Sequence, residues 1–366
     1  MEPATSPLSP FERRIWRSAQ VAVGLVGVGI VTALVVAPAI GLAALWNVLI
    51  PVAPALLVFA PGLWRNICPL ASVGLLPRHL GQSRRLPLTP AVQARFAAAG
   101  VILLLAIVPL RHLVLNLDGL ATAALLAGAG LAAAGLGLRY EWKSAWCSGL
   151  CPVHPVEKLY GTRPAVSPRN GHCDTCQRCT AVCPDSTRAM DPLRTATSSG
   201  TPWANTLLTG GFFGYVWGWF QVPDLAGSVT WSHVGVALAY PLGGLAASLV
   251  GFLVLRRMVP ASKQGLLVRA FAAAAVACYY WYRVPMLFGF GAFAGDGVLV
   301  DLRGKLPEWF PMASRGATTL LFGWWFLLRV APPSRSWTLR PRYGSGVAAQ
   351  PDDAAASHPP RHAAVA

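Results

Sequence analysis

Residues 20–40 read QVAVGLVGVGIVTALVVAPAI, an unbroken apolar run without a single charge. A helix needs about 20 such residues to cross the ~30 Å hydrocarbon layer of a bilayer, so this stretch decides the fold class. Seven further runs follow, near 42–62, 97–116, 119–138, 205–222, 232–254, 267–290 and 314–331. Composition agrees, because 54% of the chain is hydrophobic and only 12% is charged. A soluble domain carries about twice that charged share. The expected fold is an all-α integral membrane bundle of about eight transmembrane helices. It divides into helices 1–4 over 1–138, a polar island over 139–204, helices 5–8 over 205–343 and a disordered tail over 344–366.

The first run is too long and starts too late for a cleaved signal peptide, so a retained helix is expected. Pro51, Pro54 and Pro61 predict a kink or break in the second span, since proline removes a ladder hydrogen bond. Gly128, Gly130, Gly135 and Gly137 predict close helix packing by the fourth. Gly289, Gly291 and Gly295 lack the strand–turn–helix context of a nucleotide loop.

The net charge of +16 is distributed by topology and does not point to nucleic acid. Arg13, Arg14 and Arg17 precede the first span. The 63–95 segment holds Arg65, Arg78, Arg84, Arg85 and Arg95 and no acidic residue. Eight Lys or Arg lie in 139–204, Arg256, Arg257 and Lys263 follow the sixth span, and Arg335, Arg340 and Arg342 follow the eighth. The alternate loops are nearly neutral. By the positive-inside rule both termini and the 139–204 island face the cytoplasm. Fourteen tryptophans suit the headgroup region of a bilayer.

The island contains Cys173, Cys176, Cys179 and Cys183, the last followed by Pro184. C-x2-C-x2-C-x3-C-P is the thiolate ladder of a [4Fe–4S] cluster. Zinc and disulfides are the alternatives. Zinc sites usually separate two C-x2-C knuckles by a longer spacer, and a cytoplasmic segment disfavours disulfides. A second unit, Cys147-Ser148-Gly149-Leu150-Cys151-Pro152, repeats the ladder's last two positions, and Cys68-Pro69 forms a third. In two-cluster ferredoxins the proline-flanked cysteine of a ladder serves the other cluster. On that logic Cys151 completes a cluster on Cys173, Cys176 and Cys179, while Cys183, Cys147 and Cys68 begin a second. Its fourth ligand is open between Cys278, His154, Asp174 and Asp185. One cluster on Cys173, Cys176, Cys179 and Cys183 is the simpler alternative.

These units resemble the membrane-bound polyferredoxins. That group includes the quinol-dehydrogenase subunit of periplasmic nitrate reduction, the membrane protein of nitrous-oxide respiration and an accessory protein of cytochrome oxidase maturation. The resemblance rests on Cys68-Pro69, on Trp146 to Pro152 with His154-Pro155-Val156-Glu157, and on Cys173 to Pro184. It covers roughly the first 200 residues. Trp64 stands where the family has another cysteine, and only one full ladder is present. The resemblance implies a bacterial inner membrane, a ferredoxin-like cytoplasmic insert, one or two [4Fe–4S] clusters, a quinone pool and a redox partner protein.

The resulting expectation is a membrane-anchored electron carrier. An assembly or maturation factor and a redox-sensing membrane protein are the alternatives. His112 and His233 fall near the outer face, placed for a haem, a quinone carbonyl or simple hydration. Tyr279 to Tyr282 with Arg283 either line a quinone groove or pack between helices, with Arg283 free to snorkel. The 291–313 loop, with Asp296, Asp301, Arg303, Lys305 and Glu308, is either a docking surface or an interfacial turn.

Overall fold

The computed structural model describes residues 8–86, 88–140, 145–172, 202–225 and 227–330. Its described residues are mainly helical, joined by turns and irregular segments, with an isolated bridge between Leu86 and Tyr140. Six helices are long and apolar enough to cross a membrane, as befits a multi-pass membrane protein. They are α1 (Pro10–Val36), α2 (Pro38–Phe59), α5 (Pro90–Leu110, continued by a wide turn over Arg111–Leu115), α6 (Gly119–Arg139), α9 (Trp231–Met258) and α10 (Gln264–Leu287). Between them lie α3 (Pro61–Ile67), α4 (Pro69–His79), α7 (His154–Tyr160) and α8 (Pro202–Trp219). The last is α11 (Phe310–Gly323, continued over Trp324–Leu328). The apolar runs expected at 205–222 and 314–331 are therefore helical, though shorter or more polar than the other six.

Proline sets the punctuation. A residue before proline is pushed from the helical region toward extended backbone, and Ala37, Ala60 and Cys68 end α1, α2 and α3 in that way. The break expected in the second span thus falls at Ala60. Within α2 the backbone also widens over Ala43–Leu49. A side chain repairs the kink beyond it: the Tyr280 hydroxyl accepts from Ala55 N–H at 2.9 Å and donates to the Pro51 carbonyl at 2.7 Å. A phenol inserted into the ladder is a recognised cause of helix bending. The 63–95 segment, expected as a loop, is largely the helical pair α3 and α4.

Glycines set the closest contacts. A Cβ on Gly214 of α8 would strike the Gly244 carbonyl of α9, and one on Gly244 would strike Gly214. Ser248 of α9 donates to the Gly210 carbonyl at 2.6 Å across the same seam. Gly137 of α6 sits equally tight on the Gly74 carbonyl of α4, whereas Gly128, Gly130 and Gly135 have nothing within 4 Å. Of the four glycines expected to pack, only Gly137 does so. Gly244→Val is accordingly expected to destabilise the bundle by about 1–3 kcal/mol, the usual cost of overpacking. Gly243, with open space around it, is the control. Thermal unfolding in detergent should show a lowered midpoint for Gly244→Val and little change for Gly243→Val.

The main core gathers Leu57, Val58, Tyr160, Phe212, Tyr215, Val276, Phe322 and Phe326. Aromatic contacts knit it, including Phe59 edge-on to Trp325 at 4.6 Å and Tyr280 stacked on Phe322 at 5.2 Å. This core holds α2, α7, α8, α10 and α11 together beneath the cysteine-bearing end.

Candidate functional site

Both described Cys-Pro units share one backbone conformation. Cys68 (φ −57°, ψ 121°) joins α3 to α4, and Cys151 (φ −62°, ψ 119°) ends the short turn Trp146–Leu150 ahead of α7. Each proline forces its cysteine out of the helix, so each thiol sits at a helix break. The two lie near one another: burial, and then the neighbouring Cys68, push the Cys151 thiol up to about 12.

A buried ionic network ties the two breaks together. Arg65 of α3 donates through Nε to Glu157 Oε1 at 2.6 Å and through Nη2 to His154 Nδ1 at 2.6 Å. Arg65, His154 and Glu157 are each no more than 4% exposed. Glu157 and His154 belong to α7, six and three residues beyond Cys151. Helix α5 closes the floor. A Cβ at Gly100 would lie 2.8 Å from the Gly149 carbonyl and 3.3 Å from that of Cys151.

Asn66, fully buried, fixes the chain that leads to the ladder. Its Oδ1 accepts from Gly171 N–H at 2.7 Å, and its Nδ2 donates to the Gly62 carbonyl at 2.9 Å. Gln20 of α1 donates to the Asn66 carbonyl at 3.1 Å and lies 3.3 Å from His172 Nε2. Arg169 adds a pair with Glu12 at 2.9 Å. The chain is thereby pinned at His172, one residue before Cys173. Cys173, Cys176, Cys179 and Cys183, with Asp174 and Asp185, lie outside the described residues.

The other expected ligands separate into different roles. Cys147 lines a small cleft with Ala71, Gly74, Ala133 and Gly137, between α4 and α6. Cys278 is a half-buried thiol packed on the main core near Tyr160. His154 does not suit a metal: a ligating imidazole needs its second nitrogen to donate to an acceptor, and here Nδ1 faces the donor Arg65. Among the described residues no three His, Cys, Asp or Glu side chains form a metal-binding group. Soft thiolates at two matched helix breaks are the donor type an iron–sulfur cluster takes.

A second polar assembly occupies the other end of the bundle, about 16 Å along α5 from Gly100 at helical rise. His112 Nδ1 lies 2.8 Å from Asp224 Oδ1 and its Nε2 lies 3.0 Å from the Trp219 carbonyl. Both ring nitrogens are taken, which leaves none for a haem iron. His233 caps the exposed start of α9 through Thr230. Asn116 donates to Asp224 Oδ1 at 2.7 Å, and Asp224 N–H donates to Asp296 Oδ2 at 2.8 Å. The 291–313 loop therefore folds back on the bundle, with Leu299 and Val300 N–H bonded to the Leu287 carbonyl. Arg283 does not snorkel. It is 2% exposed and donates through Nη2 to the Trp46 carbonyl at 2.6 Å and Asn47 Oδ1 at 2.7 Å.

Sequence reading missed Arg65, Asn66, Gln20 and His172, which are scattered polar residues without a local motif. An arginine and an asparagine directly ahead of a Cys-Pro unit were the available signal. No family model, curated protein or solved structure matches the chain.

Proposed function

We propose that this chain is a membrane-anchored electron carrier that holds one or two [4Fe–4S] clusters at the cytoplasmic end of an eight-span bundle. Helices α8 and α11 supply the fifth and eighth spans beside the six membrane-length helices, since each packs along a membrane-length neighbour. The alternation of basic and neutral loops supports cytoplasmic termini. The observation that carries the reading is convergence: the ladder Cys173-x2-Cys176-x2-Cys179-x3-Cys183-Pro184 begins one residue after a chain pinned beside the Cys68–Cys151 pair. Cys173, Cys176 and Cys179 with Cys151 would hold one cluster, and Cys183, Cys147 and Cys68 would contribute to a second. A bound cluster supplies one-electron transfer. The protein's part is to hold the thiolates, exclude water and present them to a partner. The polyferredoxin resemblance makes the quinone pool and a respiratory redox protein the proposed donor and acceptor, in a bacterial inner membrane.

Anaerobic purification with iron and sulfide counting, and electron paramagnetic resonance after reduction, tests this. About four irons per chain means one cluster and about eight means two. Zinc in place of iron overturns the reading. Reduction of the cluster by a quinol analogue in membranes would fix the direction of flow.

A further inference from the structure

We propose that the end of the bundle opposite the cysteines carries an oxyanion site, built from Arg111 and Arg283, both of which contact Trp46. The Arg111 guanidinium lies between two indoles, 4.2 Å from the Trp46 ring and 4.6 Å from the Trp219 ring. Its Nε donates to Asn116 Oδ1 at 3.1 Å. Its terminal nitrogens make no hydrogen bond with the described residues and keep a small exposure, the residue being 7% exposed. Arg283 reaches the same Trp46 from α10, through the carbonyl. Its Nη1 faces the weak acceptor Met286 Sδ at 3.1 Å, Tyr279 is a further hydrogen-bonding neighbour of the guanidinium, and Nε is sealed from solvent without a hydrogen-bond partner among the described residues. The two guanidinia lie within electrostatic reach of each other, of Tyr279 and of Asp224.

A buried cation is ordinarily paired with an anion. Neither arginine makes an ion pair among the described residues. Asp224 is bonded to His112 and Asn116, and Asp296 accepts from the Asp224 backbone. Two adjacent like charges thus share a site whose open groups are N–H donors, and an indole sandwich holds one planar fork in place. A neutral carbonyl ligand would satisfy donors but leave the repulsion. An oxyanion satisfies both, and arginine forks match phosphate or carboxylate oxygens in pairs. Gly297 closes the site: its φ is +60°, and a Cβ there would strike Arg283 Nη1.

The phosphate can belong to a lipid headgroup or be free in solution, and two arms distinguish them. The full-length protein is placed in phosphatidylcholine nanodiscs, and thermal midpoint and tryptophan fluorescence are followed. One arm adds phosphatidylglycerol; the other adds inorganic phosphate, with chloride at equal ionic strength as control. A raised midpoint with a fluorescence change in the first arm alone identifies a headgroup site, and in the second alone a free-oxyanion site. Either result supports the proposal, as does a response in both. Arg111→Lys, which keeps the charge and loses the fork, should weaken the response by about tenfold. No response in either arm, or an unaltered response in Arg111→Lys, overturns it. The site does not depend on the electron-carrier reading, and iron content should be unchanged in Arg111→Lys.

Discussion

Cys176→Ala is expected to lose about four irons per chain, together with the low-temperature resonance of the reduced protein. Cys176 is the second of the ladder's four thiols, and both ligand assignments place it on the same cube as Cys173 and Cys179. Losing one of four thiolates exposes an iron to water and weakens the hold on the cube. Two companions then separate the assignments. If Cys173, Cys176, Cys179 and Cys183 hold a single cluster, Cys183→Ala should match Cys176→Ala, and Cys151→Ala should keep its iron. If the ladder shares ligands with the Cys-Pro units, Cys151→Ala should remove the same signal as Cys176→Ala. Cys183→Ala should then spare it. The measurement is iron per chain with the resonance spectrum, each on anaerobically purified protein. A normal cluster in Cys176→Ala would refute the ligand set.

The parts of this molecule that sequence reading reached are those governed by local rules. Apolar length points to the six membrane-length helices, and the prolines of the second span point to a break that falls at Ala60. The break at Cys68 is not foreseen, because 63–95 reads as a loop. The parts it missed are set by contacts between distant segments. Arg283 illustrates the difference. Its position near a helix end predicts snorkelling, but Trp46 and Asn47 of α2 lie across from it, so the guanidinium bonds inward instead. The same holds for Gly128, Gly130 and Gly135, whose composition predicts packing although no described residue would come within 4 Å of a Cβ there. Neither α8 nor α11 is a strong span by composition, because Gly, Trp and Thr dilute α8 and Arg315 interrupts α11. Their burial comes from α9 and α10. At the cysteine end, Gln20, Asn66 and His172 come together from three parts of the chain, and no spacing rule links them.

Arg65→Met is expected to destabilise the protein by roughly 3–5 kcal/mol, the cost of leaving one member of a buried ion pair without its partner. The substitution keeps the volume of the stem, so packing changes little. What it removes is the Arg65 cation from beside the Glu157 carboxylate, which is 3% exposed, and the Arg65 hydrogen bond to His154 Nδ1. The double variant Arg65→Met/Glu157→Met removes both charges together and should recover most of that loss, since an apolar replacement of a buried pair is often neutral. Single losses below about 1 kcal/mol would mean that the network is solvated. Acid supplies a second reading of the same network. Burial first, then Arg65 and Lys158, hold His154 well below its ordinary value of 6.5. The unfolded chain therefore takes up a proton below about pH 6.5 that the folded chain refuses, and stability should fall as pH drops through that value. His154→Gln should flatten this decline in a pH series of thermal midpoints. Because the Arg65 network is what joins α3 to α7, its loss also frees Cys68 from Cys151. Arg65→Met should consequently retain less iron than the wild type at temperatures where both are still folded, which iron counting after mild heating can measure.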